Sequence, residues 1–256
     1  MTLKLLDLFA GIGGFSYAAE QLVGGFKTIQ FVEWNPFCQQ VLNQNFPHVN
    51  IHSDITSFDF SSCPANVITA GFPCQDISAA GKQAGIKLGT RSGLFLEVVR
   101  GIREIRPDYV VLENVSAICS AQPDAESNLS IVLGELFKVG YDAEWDCIRA
   151  SSLGAPHHRN RWWLVAYPHS KGIQRLWKER QLQKTGRQIT PYWCSSGGTS
   201  PAGWSTRSCK TEPPLLGVDV RLPNWMDRVK ALGNTVVPQV AAIPLERVAQ
   251  LHSLYS

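Results

Sequence analysis

Long apolar runs are missing from this sequence of 256 residues. Nothing approaches the roughly 18 consecutive apolar residues that a membrane-crossing helix needs, so such a helix is excluded. A secretory leader is not expected either, because glycines interrupt the first apolar run almost at once, in Leu8-Phe9-Ala10-Gly11-Ile12-Gly13-Gly14. The seven cysteines never fall within four residues of one another. That spacing disfavours a disulfide framework and a zinc knuckle, and points to reduced thiols in a cytoplasm. Internal repeats are absent. What is present is enough apolar material, 44% against 18% charged, to bury a sizeable core, which excludes a disordered chain.

Acids are scarce in one stretch. Between Arg149 and Lys210 there are 11 Lys or Arg and one acid, Glu179, giving +10; the remainder carries −7. Five of the eight tryptophans lie in the same stretch: Trp162, Trp163, Trp177, Trp193 and Trp204. An acidic body bearing a basic, aromatic-rich segment suits a polyanion partner, most simply a nucleic acid. A solvated surface loop is the plainer alternative.

Short apolar runs alternate with helix-like segments over the first two thirds of the chain. Leu3 to Phe9, Thr28 to Val32, Val67 to Ala70, Tyr109 to Leu112 and Arg161 to Ala166 read as buried strands. Gly13 to Leu22, Pro36 to Asn45, Ser92 to Ile105 and Glu126 to Val139 read as helices. This alternation predicts an α/β fold with a parallel sheet covered on both faces. Periodicity then disappears from Pro168 to Pro223, and such a long irregular stretch is either functional or disordered. Helices return at Asn224 to Leu232 and Pro238 to Leu251. The expected organisation is a catalytic and cofactor-binding domain over 1–167, a small irregular lobe over 168–220, and a return to the first domain over 221–256.

Several residues gather at the carboxyl ends of the predicted strands. Gly11, Gly13 and Gly14 would let backbone approach a ligand closely. The dinucleotide fingerprint G-x-G-x-x-G would need glycine at Ser16, so a pyrophosphate cradle, and with it an NAD-dependent oxidoreductase, is disfavoured. Glu33 is placed to bind ribose hydroxyls, and Asp54-Ile55 to meet an adenine ring; a tight turn with two solvated acids is nearly as good a reading. Gly71-Phe72-Pro73-Cys74-Gln75 follows a buried strand, and the glycine-punctuated stretch after it suits a closing loop. Cys74 is either a nucleophile needing help to ionise or a small buried hydrophobe. Glu113 is either a base-binding carboxylate or a helix cap. Arg159 and Arg161, at alternate positions, point the same way. His157-His158 lacks partners at metal-ligand spacing, so no metal site is expected.

In order along the chain, Asp7 to Phe15, Glu33-Trp34, Asp54-Ile55, Gly71 to Ser78, Glu113-Asn114-Val115, Arg159-Asn160-Arg161 and Gly233-Asn234-Thr235-Val236-Val237-Pro238 resemble the motifs of the cytosine-C5 DNA methyltransferases, compact bacterial or phage type. The resemblance covers everything except about 168 to 215. It implies a Rossmann-like S-adenosylmethionine-dependent methyltransferase sheet. Phe9 would stack near the adenine, the three glycines approach the amino-acid part, and Glu33 hold the ribose. Trp34, Asp54, Ile55, Pro73, Leu94, Asn234 and Thr235 would complete that pocket. Cys74 would add to C6 of a cytosine flipped out of double-stranded DNA, while Glu113 bonds N3 and the exocyclic amine. Arg159 and Arg161 would hold the base and its phosphate, and Ser78, Lys82 and Arg91 would lie on the closing loop.

Two departures stand out: His157 replaces a usual glutamine, and the motif before Gly233 is abbreviated. The lobe would supply phosphate and base contacts within a short recognition sequence. A monomer is expected, either serving restriction-modification beside a separate companion endonuclease or in a solitary or phage role. Transfer RNA as substrate and a catalytically silent DNA binder are the competing readings. Intact Cys74, Glu113 and Arg159 speak against the silent binder.

Overall fold

The computed structural model describes residues 2–73, 92–120, 127–171 and 225–255. Cys74, Ser78, Lys82, Arg91 and the lobe from residue 172 onward lie outside the described residues.

Seven strands form one sheet: β1 (Leu3–Leu8), β2 (Phe26–Val32), β3 (Asn50–His52), β4 (Val67–Gly71), β5 (Tyr109–Val115), β6 (Tyr141–Arg149) and β7 (Asn160–Pro168). Their order is β3-β2-β1-β4-β5-β7-β6. β1 to β5 are parallel, as the alternation of strands and helices dictates. The order in which strands are laid down reverses between β1 and β4, the switch point where open α/β sheets bind ligands. The expected all-parallel sheet needs correction at one edge, because β7 runs antiparallel to both β5 and β6. No helix separates β6 from β7, only a turn at Ala150–Leu153 and a short loop, so the two strands fold back on each other.

Helices cover both faces, for reasons visible in their apolar spacing. α3 (Phe95–Ile105) buries Phe95, Val98, Val99 and Ile102, four positions on one helical stripe. With α4 (Asn128–Lys138) it packs on Leu6, Ile68, Val110, Leu112, Trp162 and Leu164. The opposite face presents Leu5, Val67, Tyr109, Val111, Trp163 and Val165 to α1 (Gly14–Tyr17), its π-helical extension Ala18–Val23 and the C-terminal helix α6 (Pro238–Tyr255). α5 (Trp225–Asn234) precedes α6. α2 (Pro36–Asn45) closes the β2 side through Leu42, which with Phe46 meets Phe31. α2 begins where the sequence predicts, because Pro36 suits a first helical turn and Asn35 Oδ1 accepts from the amides of Phe37 and Cys38. Among the described residues, no helix is long and apolar enough to cross a membrane.

Candidate active site

The carboxyl ends of β1, β2, β4 and β5 carry the expected residues. Beyond β1 the chain turns through Phe9 and Gly11, at φ 54° and 57°, and Gly13 at φ 88°, the left-handed region that glycine tolerates best. Close packing also demands these glycines. A Cβ on Gly13 would lie 2.7 Å from the Phe46 ring, and one on Gly14 2.8 Å from a Val236 methyl. The turn is therefore clamped between α2 and the start of the C-terminal segment.

Glu33 follows β2 and is buried. Its Oε2 accepts from the Gly11 amide at 2.8 Å and its Oε1 from the Asn35 amide at 2.8 Å. Burial pushes its carboxyl up, against these backbone bonds. The Trp34 amide adds a third backbone donor, which leaves the carboxylate a lone pair for an outside donor. Next to it Trp34 is 80% exposed, an indole with almost nothing of the protein over it. Asp54 is exposed and held by Thr56, whose amide and hydroxyl both donate to Oδ1, at 2.9 and 2.8 Å; these bonds pull its carboxyl down. Ile55 is buried, and half-buried Phe9 and Leu94 pack on the same apolar cluster. Thr235 is half-buried against the glycine turn, whereas Asn234 is exposed and Pro73 half-buried.

Underneath lies a residue that sequence reasoning did not assign to the site. Asp7 is fully buried and accepts from the hydroxyls of Ser16 and Thr69, both at 2.8 Å. Desolvation raises its carboxyl to about 7, in spite of those bonds, with the Glu33 charge adding to the rise. The available signal was one acid inside an otherwise apolar strand end, Leu5-Leu6-Asp7-Leu8.

Glu113 is also buried, and Arg161 Nε lies 3.0 Å from its Oε1. Desolvation pushes the Glu113 carboxyl up, while Arg161 and then Arg159 pull it back. Gly71 sits opposite Glu113 in the ladder, and a Cβ there would lie 3.4 Å from Oε2. The neighbouring Asn114 is buried and donates through Nδ2 to the Phe72 carbonyl at 3.1 Å. β5 thus braces the backbone two residues before Cys74. Sequence reasoning placed Asn114 in a motif but gave it no task.

The two arginines do different things. Arg161 faces Glu113. Arg159 donates through its two terminal nitrogens to the carbonyls of Gly233 and Thr235, both at 2.8 Å, tying the start of β7 to the end of α5 and the loop before α6. The departure at His157 lies close by, where burial and the Arg159 charge push the imidazole down. Among the described residues, no group of His, Cys, Asp or Glu is placed to hold a metal ion.

A seven-stranded sheet of this order, with acids and glycines at one edge, defines a doubly wound α/β binding protein. The chain belongs to the C-5 cytosine-specific DNA methylase family, whose profile matches residues 3–195. It is 38% identical over 168 residues to the type II methyltransferase M.CviJI of Paramecium bursaria Chlorella virus IL3A, covering 65% of this chain and 43% of that one. It is 32% identical over 173 residues to the type II methyltransferase M.HhaI of Haemophilus parahaemolyticus, covering 67% and 51%. The chain thus spans about half the length of the curated relatives it matches. DNMT2 of Spodoptera frugiperda superimposes with a TM-score of 0.53 at 22% identity, over 65% of this chain and 50% of that one, a likeness of fold.

Proposed function

We propose that this chain methylates C5 of cytosine within a short sequence of double-stranded DNA, using S-adenosylmethionine. The observation that carries this reading is the buried Glu113 carboxyl, held by Arg161 beside the strand end that leads to Cys74.

The donor pocket fits a nucleoside: Glu33 offers a fixed acceptor for ribose hydroxyls, and Trp34 offers an uncovered aromatic face. Phe9, Asp54, Ile55, Pro73 and Leu94 would line the base, with Gly11, Gly13, Gly14, Asn234 and Thr235 on the amino-acid side. Bound there, S-adenosylmethionine supplies a sulfonium methyl to the activated C5.

Activating C5 falls to the chain's own residues. The cytosine must leave the duplex, since its ring is inaccessible within the stack. The Cys74 thiolate adds to C6 and converts the aromatic ring into an enamine. A carboxyl held up by burial can donate to N3 while its other oxygen accepts from the exocyclic amine, the pattern Glu113 is suited to present. Arg161 fixes the orientation of that carboxyl. Arg159, through Gly233 and Thr235, fixes the wall shared with the donor pocket. A base then takes the C5 proton as the Cys74 thiolate is expelled from C6, which restores the ring. The basic stretch within 168–220 would supply phosphate contacts, and 221–256 would return the chain to the catalytic body.

Plasmid DNA from a host without cytosine methylation, expressing this chain, should resist bisulfite conversion at one cytosine within a recurring short sequence. Cys74→Ala should abolish that protection, and persistence of the mark in that variant would overturn the covalent mechanism.

A further inference from the structure

Two described cysteines stand on the β5-β7-β6 side of the sheet. Cys119 ends the short helical turn Ser116–Cys119 that follows β5, and Cys147 lies in the edge strand β6; both are free and exposed. Their placement follows from the sheet. Cys147 is paired with Trp162, and directly opposed residues of an antiparallel pair share a face. Trp162 and Ile118, the neighbour of Cys119, are both fully buried in the same apolar cluster. Cys147 and the turn that carries Cys119 therefore lie on one face of the sheet, on either side of β7, with the Cys147 thiol near enough to act on that of Cys119.

We propose that Cys119 and Cys147 form a reversible disulfide when the protein meets a low-molecular-weight disulfide such as oxidised glutathione. One cysteine thiolate attacks a sulfur of the small disulfide, and one small thiolate leaves. The second cysteine thiolate then displaces the small thiol from the mixed disulfide. The small disulfide is reduced by two electrons to two thiols, which take up the two cysteine protons, and the protein gains one S–S bond. Partial desolvation and the neighbouring Cys147 push the Cys119 thiol up to about 11, so exchange should quicken as pH rises through the alkaline range. The bond would staple the segment just beyond Glu113-Asn114-Val115 to the sheet edge. Buried Cys38 and Cys63, which lie elsewhere in the fold, give no such pair.

The test uses the full chain equilibrated in glutathione buffers of graded potential, then acid-quenched, alkylated, digested and analysed by mass spectrometry. The expected result is a peptide linking Cys119 to Cys147. It should appear in one two-electron step, a tenfold change in the oxidised-to-reduced ratio for each ~30 mV. Cys38 and Cys63 should stay alkylated throughout. In Cys147→Ser, folded by circular dichroism, Cys119 should stop at a glutathione adduct. The proposal is overturned if both cysteines remain alkylatable in fully oxidised buffer, if each ends as its own glutathione adduct, or if Cys119 is linked instead to Cys74.

Discussion

Two single residues carry the sharpest consequences. Folding places the Asp7 carboxyl at about 7, against a usual value near 4, so the folded chain takes up a proton that the unfolded chain has released. The resulting stability is fully present below about pH 4 and is withdrawn as pH rises to about 7, by about 4 kcal/mol at most. Asp7→Asn keeps a partner for both hydroxyls and has nothing to ionise. Its melting temperature should vary less between pH 4 and pH 7 than that of the parent, with a residual slope from Glu33 and Glu113, whose carboxyls shift the same way. Parallel curves would show that Asp7 titrates normally. Asn114 acts by position instead. Asn114→Ala leaves the Phe72 carbonyl without its donor and frees the backbone leading to Cys74, where a misplacement of about 1 Å can lower kcat on the order of 100-fold. Steady-state kinetics should show that drop with KM for DNA nearly unchanged; a rise in KM alone would mean that Asn114 serves DNA binding.

At the scale of elements, the sequence announced what local chemistry controls and hid what chain direction controls. α2 was legible to the residue because its cap and its Pro36 are local signals, and β1, β2, β4 and β5 because buried parallel strands are nearly continuous apolar runs. β3 is three residues long and carries no pattern. β6 did carry one, since Tyr141, Ala143, Trp145 and Cys147 alternate with Asp142, Glu144 and Asp146, but three acids hid it and the sequence reading assigns the stretch to no element. The antiparallel direction of β7 had no signal in its own residues, because Trp162 to Ala166 are buried on both faces either way. The site was legible as a set of residues at one edge. Its internal bonds, Arg161 to Glu113 and Arg159 to the loop before α6, depend on approaches across the fold that spacing cannot encode. The glycine turn shows the same limit: spacing suggested approach to a ligand, while the structure adds the fit between α1, α2 and Val236. Gly13→Ala, combining a left-handed φ with a contact against Phe46, should therefore lower unfolding free energy by about 3 kcal/mol in denaturant titration, with or without cofactor. A loss seen only when cofactor is added would assign that glycine to the ligand alone.

For the whole molecule, charge is divided more sharply than the net +3 suggests. The +10 between Arg149 and Lys210 set against −7 elsewhere should make DNA affinity fall at least tenfold between about 50 and 200 mM salt, measured by fluorescence anisotropy on a duplex without a recognition sequence. A flat response would separate that stretch from DNA binding. α6 returns from the far end of the chain to cover the face begun by β1, and Arg247 on it meets Glu144 of β6 at 2.6 Å, so the last helix touches both the first strand's layer and the sheet edge. Thr235 and Val236, just ahead of α6, wall the glycine turn that opens near residue 11. On a ribosome adding about 5–20 residues per second, that wall emerges on the order of tens of seconds after the turn it completes. A nascent chain in that interval lacks one side of its own glycine turn, so translation itself delays the completion of that wall in every new copy.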